Sequence, residues 1–267
     1  VWDEPETPLK ADPQSRDLAA SLVAEAASPH GVAVVLGLND GSLVRALLRE
    51  SNYHVITVDN DLDRVARLRK ELQSAGIYGT RAAVLHGDPR NISLPQYLAT
   101  LITTELPAGL QDASPNLLQS LRPFGGVAAL GIKPGSQFAS KETLNSQKPG
   151  RFLAAELNGN VLIRRIGALP GTADYQGGYA HCEDALVRFP LGVLWFDDTL
   201  AHFKRSPQPL FKNGVMVSRP KDWHAPRIKG NWSVDYPLMR PVLSDIYTGR
   251  VFDESEEAAL RKSLPPL

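Results

Sequence analysis

The sequence predicts a doubly wound α/β domain with a mostly parallel sheet, followed by an irregular, mostly β tail. Three observations carry this expectation. Short apolar, β-branched runs recur between residues 15 and 167, the first three stopping at Gly or Asp. Helical segments separate them, as crossover connections between parallel strands require. After Gly167 the texture changes to short apolar pieces between Gly, Pro and aromatic residues.

Residues 1–14, VWDEPETPLKADPQ, are Pro-rich and polar and read as an extended arm. SRDLAASLVAEAAS places Leu18, Leu22 and Val23 at helical spacing, with Ser15 or Asp17 as the expected cap. The run Val32–Leu36, bounded by Gly31 and Gly37, reads as a buried parallel strand. SLVRALLRES is an amphipathic helix, and HVITVD a second strand ending in Asp59. DLDRVARLRKELQSAG is a helix with Asp61 and Asp63 in its first turn and Gly76 at its end. RAAVLHGD is a third strand ending in Asp88, LATLITTE a fourth ending in Glu105, SPNLLQSL a short helix, and VAALGI a fifth strand. FLAAELNGNVLIRRIG holds two apolar runs joined by Asn158-Gly159, a dipeptide that favours a tight hairpin, so two antiparallel strands are expected at a sheet edge. The domain so defined spans 15–167. The tail, 168–267, carries Trp195, Trp223 and Trp232, with strand-like pieces such as LGVLWF, NGVMVS and PVLSDIYTG and a helical ESEEAALRKSL.

Composition narrows the function classes. Lys+Arg and Asp+Glu both number 29, so no net charge favours nucleic acid or an anionic membrane. Cys182 is the single cysteine, which excludes an internal disulfide and a CxxC zinc or haem motif. No apolar run reaches the ~20 residues of a membrane span. The chain opens on Val1 rather than Met, which leaves room for an upstream leader or domain.

The loop GLNDGS, residues 37–42, follows the first strand and opens the next helix. In a parallel α/β sheet that loop lies at the ligand crevice, where the helix offers free N–H groups and a partial positive charge. A dinucleotide loop needs G-x-G-x-x-G. Gly37, Asn39 and Gly41 follow the tighter G-x-G-x-G spacing instead, with Asn39 in the middle slot. Asn is the residue after glycine that best tolerates left-handed backbone, so the turn is expected to survive. A carboxylate ending the second strand, here Asp59, can accept two hydrogen bonds from ribose hydroxyls. Asp88 and Glu105 end the third and fourth strands and face the same crevice. Each carboxylate taken alone also reads as a helix cap or a solvated loop residue.

VVLGLNDGSLVRALL, VITVDND, AAVLHGDP and LRPFGGVAALG resemble class I S-adenosylmethionine-dependent methyltransferases over about residues 15–167. The resemblance implies a Rossmann-like sheet binding S-adenosylmethionine through Gly37, Asn39, Gly41, Asp59, Asp88 and Glu105, with Asp59 on the ribose and Asp88 on the adenine amino group. No D/N-P-P-Y/F motif is present, so no acceptor class and no catalytic residue is implied. GALPGTADYQGGYAHCEDALVRFPLGVLWF, PLFKNGVMVS and LSDIYTGRVF resemble the tail of bacterial proteins that join such a domain to a PQQ-like (quinoprotein-type) β-propeller. Asp245, Thr248 and Gly249 match the DxxTG turn of a propeller repeat, and one copy cannot close a propeller. The chain is therefore expected to be a fragment, a processed subunit or a shortened relative.

An alternative reading is a non-catalytic scaffold or assembly subunit, which the aromatic tail fits through contact with a partner chain or a second copy. A nicotinamide dehydrogenase is a third, and the glycine spacing is wrong for it. The compartment follows the function: cytoplasmic for an active methyltransferase, periplasmic if the chain is exported as PQQ-like propeller proteins are. HCED, residues 181–184, reads as a loop rather than a metal site. Lys204, Arg205, Lys212, Arg219, Lys221, Arg227 and Lys229 read as a solvated surface, or as a contact with an acidic partner subunit, rather than a nucleic-acid site.

Overall fold

The computed structural model describes residues 9–26, 28–147, 150–175, 209–222, 224–226 and 237–262. The chain divides into two compact units, Val1–Pro170 and Gly171–Leu267.

In the first unit α1 spans Pro13–Glu25. Its cap is Asp12, not Ser15 or Asp17, and the Asp12 carboxylate accepts from the Ser15 amide at 2.8 Å. The cause is Pro13, whose fixed φ and missing N–H suit the first helical position and move the start upstream. Next come β1 (His30–Leu36), α2 (Ser42–Glu50), β2 (Asn52–Asp59), α3 (Leu62–Ser74), β3 (Ala82–His86) and β4 (Leu101–Thr103). A 3-10 turn over Pro115–Ser120 replaces the expected short helix and leads to β5 (Val127–Ala129). A six-residue helix, α4 (Lys141–Ser146), was not foreseen; it buries Leu144 and is capped by Ser140. The strands β6 (Phe152–Leu157) and β7 (Asn160–Arg165) form the expected hairpin. Asn158 and Gly159 turn it with φ of 51° and 71°.

The sheet runs β3-β2-β1-β4-β5-β7-β6. β1 to β5 pair in parallel, and β7 runs antiparallel to β5 and β6. Side-chain alternation sends Ala33 and Val35 to one face, against α1, α2 and α3. It sends Val34 and Leu36 to the other, against Leu117, Leu118, Phe138 and Leu144. The sheet is thus covered on both faces, as its continuous apolar strands require, and the expected doubly wound, Rossmann-like architecture is the one that forms.

In the second unit β8 (Leu210–Lys212), β9 (Val215–Ser218) and β10 (Val242–Asp245) form an antiparallel sheet. Val215, Val217, Leu243 and Phe252 make its small core. α5 (Glu254–Leu260) starts with a capping box between Asp253 and Glu256. Trp195, Trp223, Trp232, LGVLWF, HCED, Lys204, Arg205, Arg227 and Lys229 lie outside the described residues. Among the described residues no helix is long and apolar enough to cross a membrane.

Candidate functional site

Strand order reverses between β1 and β4, because the chain leaves β3 at one edge and re-enters beside β1. Such a reversal opens a crevice at the carboxyl edge. The loops after β1 and after β4 border it. Gly37 and Gly41 both adopt left-handed backbone, with φ of 80° and 83°. The Gly37 amide donates to the Val58 carbonyl at 2.7 Å, which pins the turn to β2. A Cβ on Gly37 would lie 2.6 Å from Leu106 Cγ, so glycine is required there by both φ and space. Gly41 caps α2 and presents its own amide to the crevice. Asn39 departs from expectation: it is exposed and is not among the residues with positive φ. The middle slot of this turn makes no demand for left-handed backbone, so Asn there costs the turn nothing.

Three carboxylates of the chain converge on this loop. Asp59, only 1% exposed, accepts from the Leu38 amide at 2.6 Å through Oδ2 and from the Asp61 amide at 2.7 Å through Oδ1. Arg64, in the first turn of α3, adds an ion pair to Oδ1 at 3.1 Å. Glu105 reaches across the crevice from the loop after β4. Its Oε2 accepts from the amides of Asn39 and Gly41, both at 2.7 Å, and its Oε1 from Leu43 at 2.6 Å. Asp40 accepts from the Ser42 amide at 2.9 Å. The amides of 38, 39, 41, 42 and 43 therefore all donate to side-chain carboxylates of the chain itself. Hydrogen bonds to an ionised acceptor are the strong class, each worth about 1.5–3 kcal/mol.

The start of α2 is also tied to α1. The Ser42 hydroxyl donates to the Asp12 carboxylate, and the Asp12 amide returns a bond to Ser42 Oγ at 3.0 Å. The Ser42 bond, then those from the Ser15 hydroxyl and amide, hold the Asp12 carboxyl far below the usual carboxylate range.

Asp88 stands apart from this cluster. It is exposed beyond β3, and one carboxylate oxygen accepts from the Arg90 amide at 3.0 Å. The six residues expected at the crevice thus fall into two groups. Gly37, Asn39, Gly41, Asp59 and Glu105 form one hydrogen-bonded assembly, and Asp88 lies outside it.

Three features escaped the sequence. Arg64 neutralises Asp59; its position five residues on, within the first turn of the following helix, was a legible signal. A cavity of about 370 Å³ between the loop and α3 is lined by Asn39, Gly41, Arg64, Arg67 and Glu71 among others. A larger cleft of about 720 Å³ borders the loops after β4 and β5, the hairpin turn and α1, with Leu18, Leu106, Lys133 and Asn160 among its walls. No local pattern marks that cleft, because it is assembled from four separate segments.

No protein-family model matches the chain, and no curated protein does. Solved structures do. A Methanococcus maripaludis protein assigned as an S-adenosyl-L-methionine-dependent methyltransferase is 16% identical, covering 58% of this chain and 86% of its own, with a TM-score of 0.44. A Geobacter sulfurreducens methyltransferase is 17% identical over 58% of this chain and 80% of its own, TM-score 0.40. The Aquifex aeolicus tRNA (m1A58) methyltransferase is 14% identical over 62% and 73%, TM-score 0.40.

Proposed function

We propose that the first unit is a methyltransferase-like domain that binds S-adenosylmethionine in the crevice between β1 and β4. The observation that carries this reading is the glycine turn Gly37–Gly41 opening onto α2 at the point where strand order reverses. The residues fit an adenosyl ligand. Asp88 keeps a carboxylate oxygen with no partner among the described residues, which suits an exocyclic amino group. Asp59 Oδ2 carries one amide bond and retains acceptor capacity for a ribose hydroxyl. Bound S-adenosylmethionine supplies an activated methyl group. Transfer of that group needs placement of the acceptor in line rather than an acid or base of the chain. The cleft bordered by Leu106 and Lys133 is the proposed acceptor side.

Calorimetric titration with S-adenosylmethionine and S-adenosylhomocysteine, with NAD as control, tests the reading. Saturable heat from the first two alone supports it, and no heat from a folded sample sinks it. Asp88→Ala is expected to weaken binding about tenfold, the worth of one hydrogen bond to a charged group, with unchanged thermal stability. Asp59→Ala should lose both affinity and stability, because its carboxylate also holds the Leu38 amide.

For the second unit the proposal is a PQQ-like propeller unit within a bacterial subunit. In its support, Asp245 closes the DxxTG turn, accepting from the Tyr247 amide at 3.0 Å and from the Gly249 amide at 2.8 Å. A second reading of the chain, the non-catalytic scaffold, draws on the loop amides being already engaged by Asp59, Asp40 and Glu105. Light scattering tests it, since a scaffold forms a stable oligomer or retains a partner.

A further inference from the structure

We infer that Glu105 determines which ligands the crevice accepts: its carboxylate competes with any ligand that brings an anion to the start of α2. This deepens the adenosyl-binding reading and rests on it. In an open α/β sheet the loop amides and helix start are where a ligand's anionic group sits, because N–H groups and the positive end of the helix converge there. Here that place is taken. Asn39, Gly41 and Leu43 all donate to Glu105, at 2.6 to 2.7 Å. Two further amides of the same turn are engaged as well: Leu38 donates to Asp59 and Ser42 to Asp40.

The competitor comes from the opposite wall of the crevice. Glu105 sits in the loop after β4, two residues beyond the strand, so its three bonds close the mouth between the β1 and β4 loops. A pyrophosphate, or the carboxylate of an amino-acid tail, meets a like charge there and finds these amides in use. An adenosyl ligand without a carboxylate meets no such conflict. One with a cationic tail finds Glu105 as its partner. The favoured class is adenosyl thioethers and sulfoniums whose tails are neutral or cationic. S-adenosylmethionine, which carries both an ammonium and a carboxylate, binds by displacing Glu105 from the amides.

The test is calorimetry of 5′-methylthioadenosine, S-adenosylmethionine and its decarboxylated form against the whole chain and Glu105→Ala. The native chain should hold S-adenosylmethionine most weakly of the three. In Glu105→Ala, S-adenosylmethionine should gain about tenfold, one charged hydrogen bond recovered, while 5′-methylthioadenosine stays within about twofold. A parallel change for all three, or no gain, overturns the inference. Glu105→Gln, which keeps one acceptor oxygen, serves if the alanine variant does not fold, with a smaller gain expected. A second measurement needs no adenosyl ligand: thermal unfolding in sulfate against chloride at matched ionic strength. Glu105→Ala should show a sulfate-specific rise in Tm that the native chain lacks, and its absence overturns the inference. A sulfate effect without adenosyl binding to either protein leaves the exclusion standing and sinks the adenosyl reading instead.

Discussion

Gly37 concentrates at one residue what the crevice asks of the chain. Its φ is 80°, and the space beside its Cα is filled by Leu106. Gly37→Ala therefore pays twice, once in backbone strain and once in displacing Leu106. A loss of about 2–3 kcal/mol is expected in urea unfolding, against about 1 kcal/mol for Gly159→Ala. Gly159 has a similar φ of 71°, and an added Cβ there meets nothing within 4 Å. Equal losses at the two positions would show that Leu106 yields freely and that the loop is not wedged. At this scale the sequence was informative about residue type and position: glycines at 37 and 41, carboxylates at 59, 88 and 105. It was silent about who uses those carboxylates. The bonds from Glu105 to Asn39, Gly41 and Leu43 join residues more than sixty positions apart. No spacing rule links such partners, because only the reversal of strand order brings them together.

At the scale of elements, α1 and the hairpin are held by polar side chains whose roles are structural. Asp12 caps α1 and bonds Ser42 at the start of α2, so one carboxylate fastens two helices. Its folded pKa lies below the usual 3.8, so its contribution is complete above that pH and is lost as pH falls toward the folded value. Asp12→Asn should unfold at lower urea than the native chain at pH 7, and the gap should narrow below about pH 3.8. A gap that does not vary with pH would show that the carboxylate charge contributes nothing. Arg165 on β7 is 1% exposed, donates to the carbonyls of Gln119 at 3.1 Å and Leu121 at 2.8 Å, and stacks on Tyr97 and Phe152. Arg165→Lys keeps the charge and loses the planar fork, with an expected cost of about 2 kcal/mol in the same assay. Strong periodicity and β-branched runs made α2, α3 and β1 to β3 legible to within a few residues. The six-residue α4 was not, since a single buried Leu144 makes no periodic pattern. The shift of the α1 cap to Asp12 was legible in principle, because Asp-Pro is a recognised helix start.

At the scale of the molecule, the chain divides at Pro170, three residues beyond the boundary that the change in composition at Gly167 suggested. The two large apolar clusters that cover the sheet draw all their residues from the first unit. Val35, Leu47 and Leu72 on one face, and Leu36, Leu118 and Ile163 on the other, are each buried. The crevice is likewise complete within that unit, since every bond among Asp59, Glu105 and the loop amides joins residues between 38 and 105. A sheet with both faces covered has what independent folding requires. Residues 1–170 produced alone should therefore unfold in one cooperative transition and, on the proposed adenosyl-binding reading, match the affinity of the whole chain within about twofold. Circular dichroism on heating and calorimetry on the same sample check both. A Tm lower by more than about 10 °C, several kcal/mol at this size, would mean that the sheet's stability draws on residues beyond 170. Intact folding with lost affinity would instead place part of the binding energy in the second unit, and the crevice between β1 and β4 could then no longer be the whole site.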